Sequence, residues 1–448
     1  MDKRSFLKTS TALVTGTMLS PFLSCTPGKK PLTNWAGNLT YSTDNICIPN
    51  SVEQAREFIA QSPKVRVLGS RHSFNTIADS TKNQILSSGL NQIVSLDKTK
   101  NTVTVEAGMK YGELCQYLYK NGYALHNLAS LPHISIGGAC ATATHGSGIK
   151  NGNLATGISA MEFINAKGEL VSLSKEDGEL FYGAVVNLGT LGFVTKLTLD
   201  LLSAFDMQQV VYRNLPMKAL ENNFEAIMSS GYSVSLFTDW KNKNINEVWI
   251  KSRVEDNTII SLAPEFHGAK LATKNMHPVE TQSAENCTEQ MGVPGPWYER
   301  MPHFKMGFIP STGKELQAEY FVPVENAFDA IMAVEKLHEK ITPHLFISEI
   351  RTVAADNLWM SPCFKKTCVA IHTTWKQEWD TVMNLLPMVE KQLAPYNPQP
   401  HWAKLFTMRP SALQSRIEKL PDFKQLMQQY DPGKKFRNEF IDKYLFGS

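Results

Sequence analysis

Two glycine-rich stretches hold the side chains best suited to chemistry. The first is Gly69-Ser70-Arg71-His72-Ser73, and the second runs Gly137-Gly138-Ala139-Cys140-Ala141-Thr142-Ala143-Thr144-His145-Gly146-Ser147-Gly148. Small residues let successive backbone N–H groups converge on one point, which makes a nest for phosphate oxygens. Neither stretch is a G-x-G-x-x-G fingerprint, and neither carries the Gly-Lys-Ser/Thr of a P-loop, so chemistry on a Mg²⁺-bound triphosphate is unsupported. Either loop alone reads as readily as a tight structural turn. Two of them, each with a histidine, point to a dinucleotide. Farther along, Glu349 and Arg351 stand two apart and share one face of a strand. Thr374 can stand beside them on a neighbouring strand, and Lys404 adds an ammonium. A carboxylate accepts hydroxyl protons, while guanidinium and ammonium donate. By themselves these four residues read more readily as a surface ion network, which is nearly neutral in energy.

The elements that must hold these residues leave clear marks. Ser51 followed by Gln54 is a capping-box pattern, and Val52, Ala55, Phe58 and Ile59 supply a helical apolar stripe. Residues 64–68 alternate into a strand that stops at Gly69. Residues 94–96 and 103–105 read as paired strands around a Lys-Thr-Lys-Asn turn. Tyr111, Leu114, Cys115 and Leu118 mark a helix that Asn121-Gly122 ends. A hairpin around Ala166-Lys167-Gly168, a helix over 181–188 and a strand over 194–202 follow. Short helices alternate with hairpin-like strand pairs, which predicts α+β rather than a doubly wound parallel sheet. After about residue 203 the texture changes to a mixed region, with a long polar connection between 253 and 292. From His401 onward the pattern is helical.

A chain of 448 residues exceeds the size at which single cores stop growing, so two domains are expected. The formal net charge of +3 gives no electrostatic reason for nucleic acid or an anionic membrane as partner. Lys3, Arg4 and Lys8 precede an apolar run over 9–23 that is short for a membrane span, so residues 1–25 read as an export signal. The basic stretch resembles a twin-arginine signal with lysine in place of the first arginine. Phe22-Leu23-Ser24-Cys25 resembles a lipoprotein cleavage box, which implies a lipid anchor at Cys25 and a place in the bacterial periplasm or on an envelope membrane. The six later cysteines form no C-x-x-C pair and no metal-like spacing with histidine, so buried thiols and no metal are expected.

The blocks Leu68-Gly69-Ser70-Arg71-His72-Ser73-Phe74-Asn75, Ala129-Ser130-Leu131-Pro132-His133-Ile134-Ser135 and Thr144-His145-Gly146-Ser147-Gly148 resemble the flavin-binding lobe of the vanillyl-alcohol-oxidase superfamily. Within it the chain is most similar to the alditol (xylitol) oxidases, close cousins of the sugar-1,4-lactone oxidases. The similarity continues through Gly292-Val293-Pro294-Gly295-Pro296-Trp297, Glu349-Ile350-Arg351-Thr352 and Pro400-His401-Trp402-Ala403-Lys404, so it covers essentially everything after residue 33. It implies a PCMH-type FAD-binding domain over 33–204 behind a tether at 26–32, an α+β cap over 205–399, and a segment over 400–448 that completes the FAD-binding domain. FAD would be held covalently by His72. Around it would lie Leu68, Gly69, Ser70, Arg71, Ser73, Phe74, Ser130, Ser135, Gly138, Thr142, Ala143, Thr144, His145, Val194 and His401. The family pattern has glycine where this chain has Arg71 and, commonly, where it has Ala143. Ser130, Glu349, Arg351, Thr374 and Lys404 would bind a neutral polyol, with Lys404, Arg351 and Glu349 catalytic. The implied reaction moves hydride from the terminal carbinol carbon to flavin N5, after which dioxygen becomes hydrogen peroxide. A sugar-1,4-lactone oxidase, or a polyol dehydrogenase with another electron acceptor, is the second reading. A non-catalytic flavin- or sugar-binding lipoprotein is the reading from another class. A monomer is expected.

Overall fold

The computed structural model describes residues 32–254, 262–305, 307 and 314–447; the stretch expected to be an export signal, with Cys25, lies outside them. The capped helix forms as its pattern predicts, over Val52–Gln61. Ser51 Oγ accepts the Gln54 N–H, Gln54 Oε1 accepts the Asn50 N–H, and Ala55, Phe58 and Ile59 face inward. The strand before Gly69 spans Arg66–Leu68 and pairs in parallel with Gln84–Leu86, which in turn pairs with Ile46–Cys47. Beside this small sheet lies a five-stranded antiparallel one, in the order Ile93–Asp97, Thr102–Glu106, Phe193–Asp200, Ile158–Ile164, Leu170–Ser174. Both expected hairpins are there as its outer pairs.

The helix expected over 181–188 is shorter, Glu179–Val185. Leu188 adopts φ 54° and the Asn187 carboxamide oxygen caps the Gly189 N–H, so the chain turns out of the helix into a tight loop. Two other expectations also change. The connection between 253 and 292 contains a hairpin, Glu265–Phe266 with Ala269–Leu271, whose second strand finds a partner in Asp206–Pro216. Residues 401–409 are not helical. His401 N and Leu405 N donate to the carbonyls of Glu319 and Gln317, which lays this segment along a strand instead; helix begins only at Pro410.

A ten-stranded antiparallel sheet dominates the rest of the chain. Its functional section consists of the strands Glu315–Pro323, Cys368–Lys376, Leu345–Val353 and Ser233–Thr238, adjacent in that order. Alternation sorts their side chains. Leu316, Ala318, Tyr320, Ile350, Ile371 and Trp375 join the core with Ile331, Val334, Val382 and Leu386 from the helices Ala327–Glu335 and Trp379–Leu393. Each leucine, isoleucine or valine among them taken fully from water contributes roughly 1.5–3 kcal/mol. Glu319, Glu349, Arg351, His372 and Thr374 occupy the alternate positions and point the other way, into a cavity.

Arg66 fastens the region behind the first loop. Its side chain is 2% exposed, and its guanidinium donates to the carbonyls of Ile77, Leu188, Gly189 and Phe436. Those carbonyls come from three separate segments, so one side chain ties the C-terminal segment to the loops at Ile77 and at Leu188-Gly189. Arg66→Met would strip the guanidinium from all four, leaving, among the described residues, only the Ile77 carbonyl with another donor, Asn438 Nδ2. The expected cost is roughly 3–5 kcal/mol, read as a lowered denaturant midpoint at unchanged slope.

Candidate active site

The two glycine-rich loops approach as closely as backbones allow. A methyl group added at Gly69 would lie 2.6 Å from Ser135 Oγ, and one at Gly138 would lie 2.9 Å from the same atom. Ser70 and Ser135 clasp the loops reciprocally: Ser135 Oγ accepts the Ser70 N–H at 3.2 Å, and Ser70 Oγ accepts the Ser135 N–H at 3.0 Å. Each loop is also pinned to the far side of the site. Asn75 Nδ2 donates to the carbonyls of Trp402 and Lys404, and the Gly148 N–H donates to the Thr352 carbonyl. The loops and the large sheet therefore enclose one cavity of about 410 Å³.

Leu68, Gly69, Ser70, Arg71, His72, Ser73, Phe74, Ser130, Gly138, Thr142, Thr144, His145, Val194 and His401 all line this cavity, as do Glu349, Arg351, Thr374 and Lys404 at its other end. Two residues expected against the cofactor stand back from the lining. Ser135 spends its hydroxyl on the interloop clasp. Ala143 is 1% exposed and serves as a turn, at φ 54°. Arg71, the other departure from glycine, has φ 64° and anchors itself by donating to the Thr33 carbonyl. Both positions thus carry the left-handed backbone that explains why glycine suits them. His145 also gains a role beyond the loop: Nδ1 donates to the Gly146 carbonyl, while Nε2 lies 3.2 Å from Glu319 Oε1.

The surfaces around His72 fit a flavin dinucleotide. Bare backbone at Gly69, Gly137 and Gly138 suits a pyrophosphate, and Ala107, Ile134 and Val194 suit an aromatic ring system. The His72 ring stacks on Trp35 with centroids 5.4 Å apart, and its Nδ1 lies 3.1 Å from Ser70 Oγ. Burial lowers its pKa to about 4, so the imidazole is neutral and keeps a lone pair for bonding.

At the far end a carboxylate that the sequence did not single out, Glu319, is the hub. Its side chain has no exposure. Oε1 receives Arg351 Nη2 at 2.7 Å, Oε2 receives Lys404 Nζ at 2.8 Å, and His372 Nδ1 stands 3.8 Å away. Burial alone would raise its pKa; Lys404, His145 and Arg351 reverse this and hold it well below the usual carboxylate range. Burial likewise works to raise Glu349, and Arg351 and His303 outweigh it in the same way. His372, directly across the strand pair from Glu349, is a second unexpected member. Burial and the Lys404 charge lower it to about 4. His303 Nε2 touches Glu349 Oε1 at 2.7 Å, and Lys251 stands behind it. Glu319 did leave a signal, a charge in an apolar strand whose period-2 partner is Gln317. Lys251, in Val248-Trp249-Ile250-Lys251, left the same one. His303 lies in a loop and left none.

The loop geometry makes opposite forecasts for two small substitutions. Ala143→Gly removes a left-handed penalty of roughly 1–2 kcal/mol and adds unfolded-state entropy worth roughly 0.5–1 kcal/mol, so the thermal midpoint should hold or rise. Gly69→Ala forces the Ser70–Ser135 clasp apart, and the ratio of flavin to protein absorbance should fall.

Known proteins agree with this geometry. A family model described as an FAD binding domain matches residues 43–174, and one described as D-arabinono-1,4-lactone oxidase matches 310–444. An alditol oxidase of Streptomyces sp. is 42% identical over 419 residues, which covers 93% of this chain and 99% of that protein. An L-gulono-1,4-lactone dehydrogenase of Mycobacterium tuberculosis is 26% identical, covering 92% of this chain and 98% of its own. Among solved structures, cholesterol oxidase from B. sterolicum superimposes with a TM-score of 0.75 at 15% identity, over 94% of this chain and 99% of that one, a likeness of fold. With the identity to the Streptomyces enzyme running almost end to end, and an FAD-binding model on the lobe that holds His72, the chain belongs to the alditol oxidase family of FAD-dependent oxidoreductases.

Proposed function

We propose that this chain oxidises the terminal hydroxyl of alditols such as xylitol and sorbitol to the aldose, with dioxygen reduced to hydrogen peroxide and FAD bonded covalently to His72. The observation that carries the reading is the clustering of Glu349, Arg351, Thr374 and Lys404, through Glu319 and His372, in the same cavity that His72 lines. Bound FAD supplies the two-electron sink and its reoxidation by dioxygen, chemistry that no side chain provides.

The protein's own groups bind and polarise the alcohol. Glu319 and Glu349 accept from Arg351 and Lys404, so the site offers both acceptors and donors to a polyol's hydroxyls. Of the three N–H bonds of the Lys404 ammonium, one goes to Glu319 Oε2 and one to His372 Nδ1, at 2.6 Å. The third is left for the substrate oxygen. Lys404 and Arg351 thereby put positive charge where an alkoxide develops. His372 Nε2 lies 3.0 Å from Thr374 Oγ1 and donates to it, which turns the threonine hydroxyl proton toward the substrate.

The D-arabinono-1,4-lactone oxidase match over 310–444 favours a second reading, oxidation of a sugar lactone by the same residues. Peroxide release from polyols and lactones, measured side by side with and without an artificial electron acceptor, decides between them. The basic and apolar N-terminal stretch and the box ending at Cys25 support export and a lipid anchor in the envelope, and the reading includes a monomer.

Wild-type protein should stay yellow through acid precipitation and denaturing electrophoresis, and should bleach on anaerobic addition of xylitol. His72→Ala should release its flavin on denaturation. Lys404→Met should keep the flavin, while xylitol reduces it on the order of 10²-fold or more slowly. Normal reduction in that variant would remove Lys404 from the mechanism.

A further inference from the structure

We propose that Lys251 is a positioning residue that fixes His303 as the Nε2–H tautomer and so holds Glu349 as a pure hydrogen-bond acceptor for a substrate hydroxyl. The inference rests on the polyol reading for its substrate and on hydrogen-bond counting for its mechanism.

Lys251 lies on the strand Asn244–Val254 and is 1% exposed. Its Nζ has three neighbours: the carbonyl oxygens of Met301 at 2.6 Å and Pro302 at 2.8 Å, and His303 Nδ1 at 3.2 Å. The carbonyls can only accept. An ammonium has three N–H bonds and no lone pair, so Lys251 donates to all three, and Nδ1 must accept. The His303 ring is held neutral, since burial and the Lys251 charge lower its pKa to about 4. Its one proton therefore sits on Nε2, which donates to Glu349 Oε1 at 2.7 Å. Glu349 also has Arg351 Nε 3.6 Å away, and it has no proton of its own to offer.

Loss of the Lys251 proton would reverse the chain. A neutral amine has two N–H bonds, which serve the carbonyls, and a lone pair that would face Nδ1. The ring proton would have to move to Nδ1, leaving the Nε2 lone pair against a carboxylate oxygen. The groups facing Lys251 are His303, Glu349 and Cys287, with the Trp249 ring 5.9 Å away. Burial lowers the ammonium's pKa to about 7, against the partial support of Glu349 and Cys287, so the reversal falls within an ordinary pH range. Lys404, His372 and Thr374 repeat the same order of lysine, histidine Nδ1, histidine Nε2 and substrate-facing group. The cavity thus meets the substrate with a fixed acceptor at Glu349 and a fixed donor at Thr374. A hydroxyl satisfies the acceptor; a lactone carbonyl or ring oxygen there would leave two acceptors opposed, which binding sites reject strongly.

The test uses the full-length FAD-loaded protein. In ¹⁵N-histidine spectra without substrate, wild-type His303 should be the Nε2–H tautomer, and Lys251→Met should lose that preference. With xylitol, Lys251→Met and His303→Ala should raise KM about tenfold with kcat little changed, the scale of one charge-assisted hydrogen bond. His303→Gln places an amide donor where Nε2–H stood and should recover most of that loss. Wild-type KM should rise as pH climbs through about 7, whereas the His303→Gln profile should be flat. An Nδ1–H or imidazolium His303 in the wild type, or a wild-type KM in Lys251→Met, overturns the proposal. Should Lys251→Met fail to fold, a His303→Gln variant that keeps the wild-type pH profile overturns it equally. Wild-type flavin that no alditol bleaches would defeat the polyol reading instead, and the tautomer spectra would still judge Lys251.

Discussion

A carboxylate with no access to water sets the terms for the active site. Glu319 would be intolerable alone, because an isolated buried charge costs far more than any single hydrogen bond returns. Arg351 and Lys404 meet it at hydrogen-bond distance from different directions, and His145 adds a third contact. Those residues come from the sheet, the C-terminal segment and the second glycine-rich loop. The charge requirement therefore registers the sheet and the C-terminal segment against one another, with the second loop packed beside them. The cations are also the groups that would polarise a substrate oxygen, so one constraint both assembles the site and charges it.

The glycine-rich loops solve a different problem, that of clearing space. Gly69 and Gly138 leave no room for a methyl beside Ser135, and the clasp between Ser70 and Ser135 holds the bare backbones together. Arg71 and Ala143 adopt left-handed backbone, which glycine would take without strain, so each costs stability. Arg71 recovers part of that cost through its bond to the Thr33 carbonyl. His72 is then set by a serine on one side and the Trp35 ring on the other.

Two lysines also act through histidines that they orient. Lys404 and Lys251 each face a histidine through Nδ1, and each histidine passes its only proton to a residue that faces the cavity. Such chains decide which substrate atoms are welcome, because acceptors and donors cannot exchange places without moving a proton.

Much of this was legible in the residue order. The capped helix over Val52–Gln61, the two hairpins of the five-stranded sheet, both glycine-rich loops and the shared face of Glu349 and Arg351 follow from local patterns that tertiary contacts did not overturn. Family likeness brought Ser130, Thr374, Lys404 and His401 to the cavity, and all of them line it. Other features were beyond local reading. The helix near 185 stops early because Asn187 caps a turn, and residues 401–409 forgo helix because a strand offers them hydrogen bonds. Ser135 and Ala143 serve the loops from behind the cavity, a distinction that spacing cannot express. Glu319, His372, His303 and Lys251 were hidden for the same reason. A charged residue in an apolar strand announces burial, but its partners lie up to 174 residues away in the case of His145 and 85 in that of Lys404. Sequence periodicity determined which face each side chain takes; only the packing of loops and sheet decided which charges would meet, because electrostatic partnership depends on distance in space and on the exclusion of water.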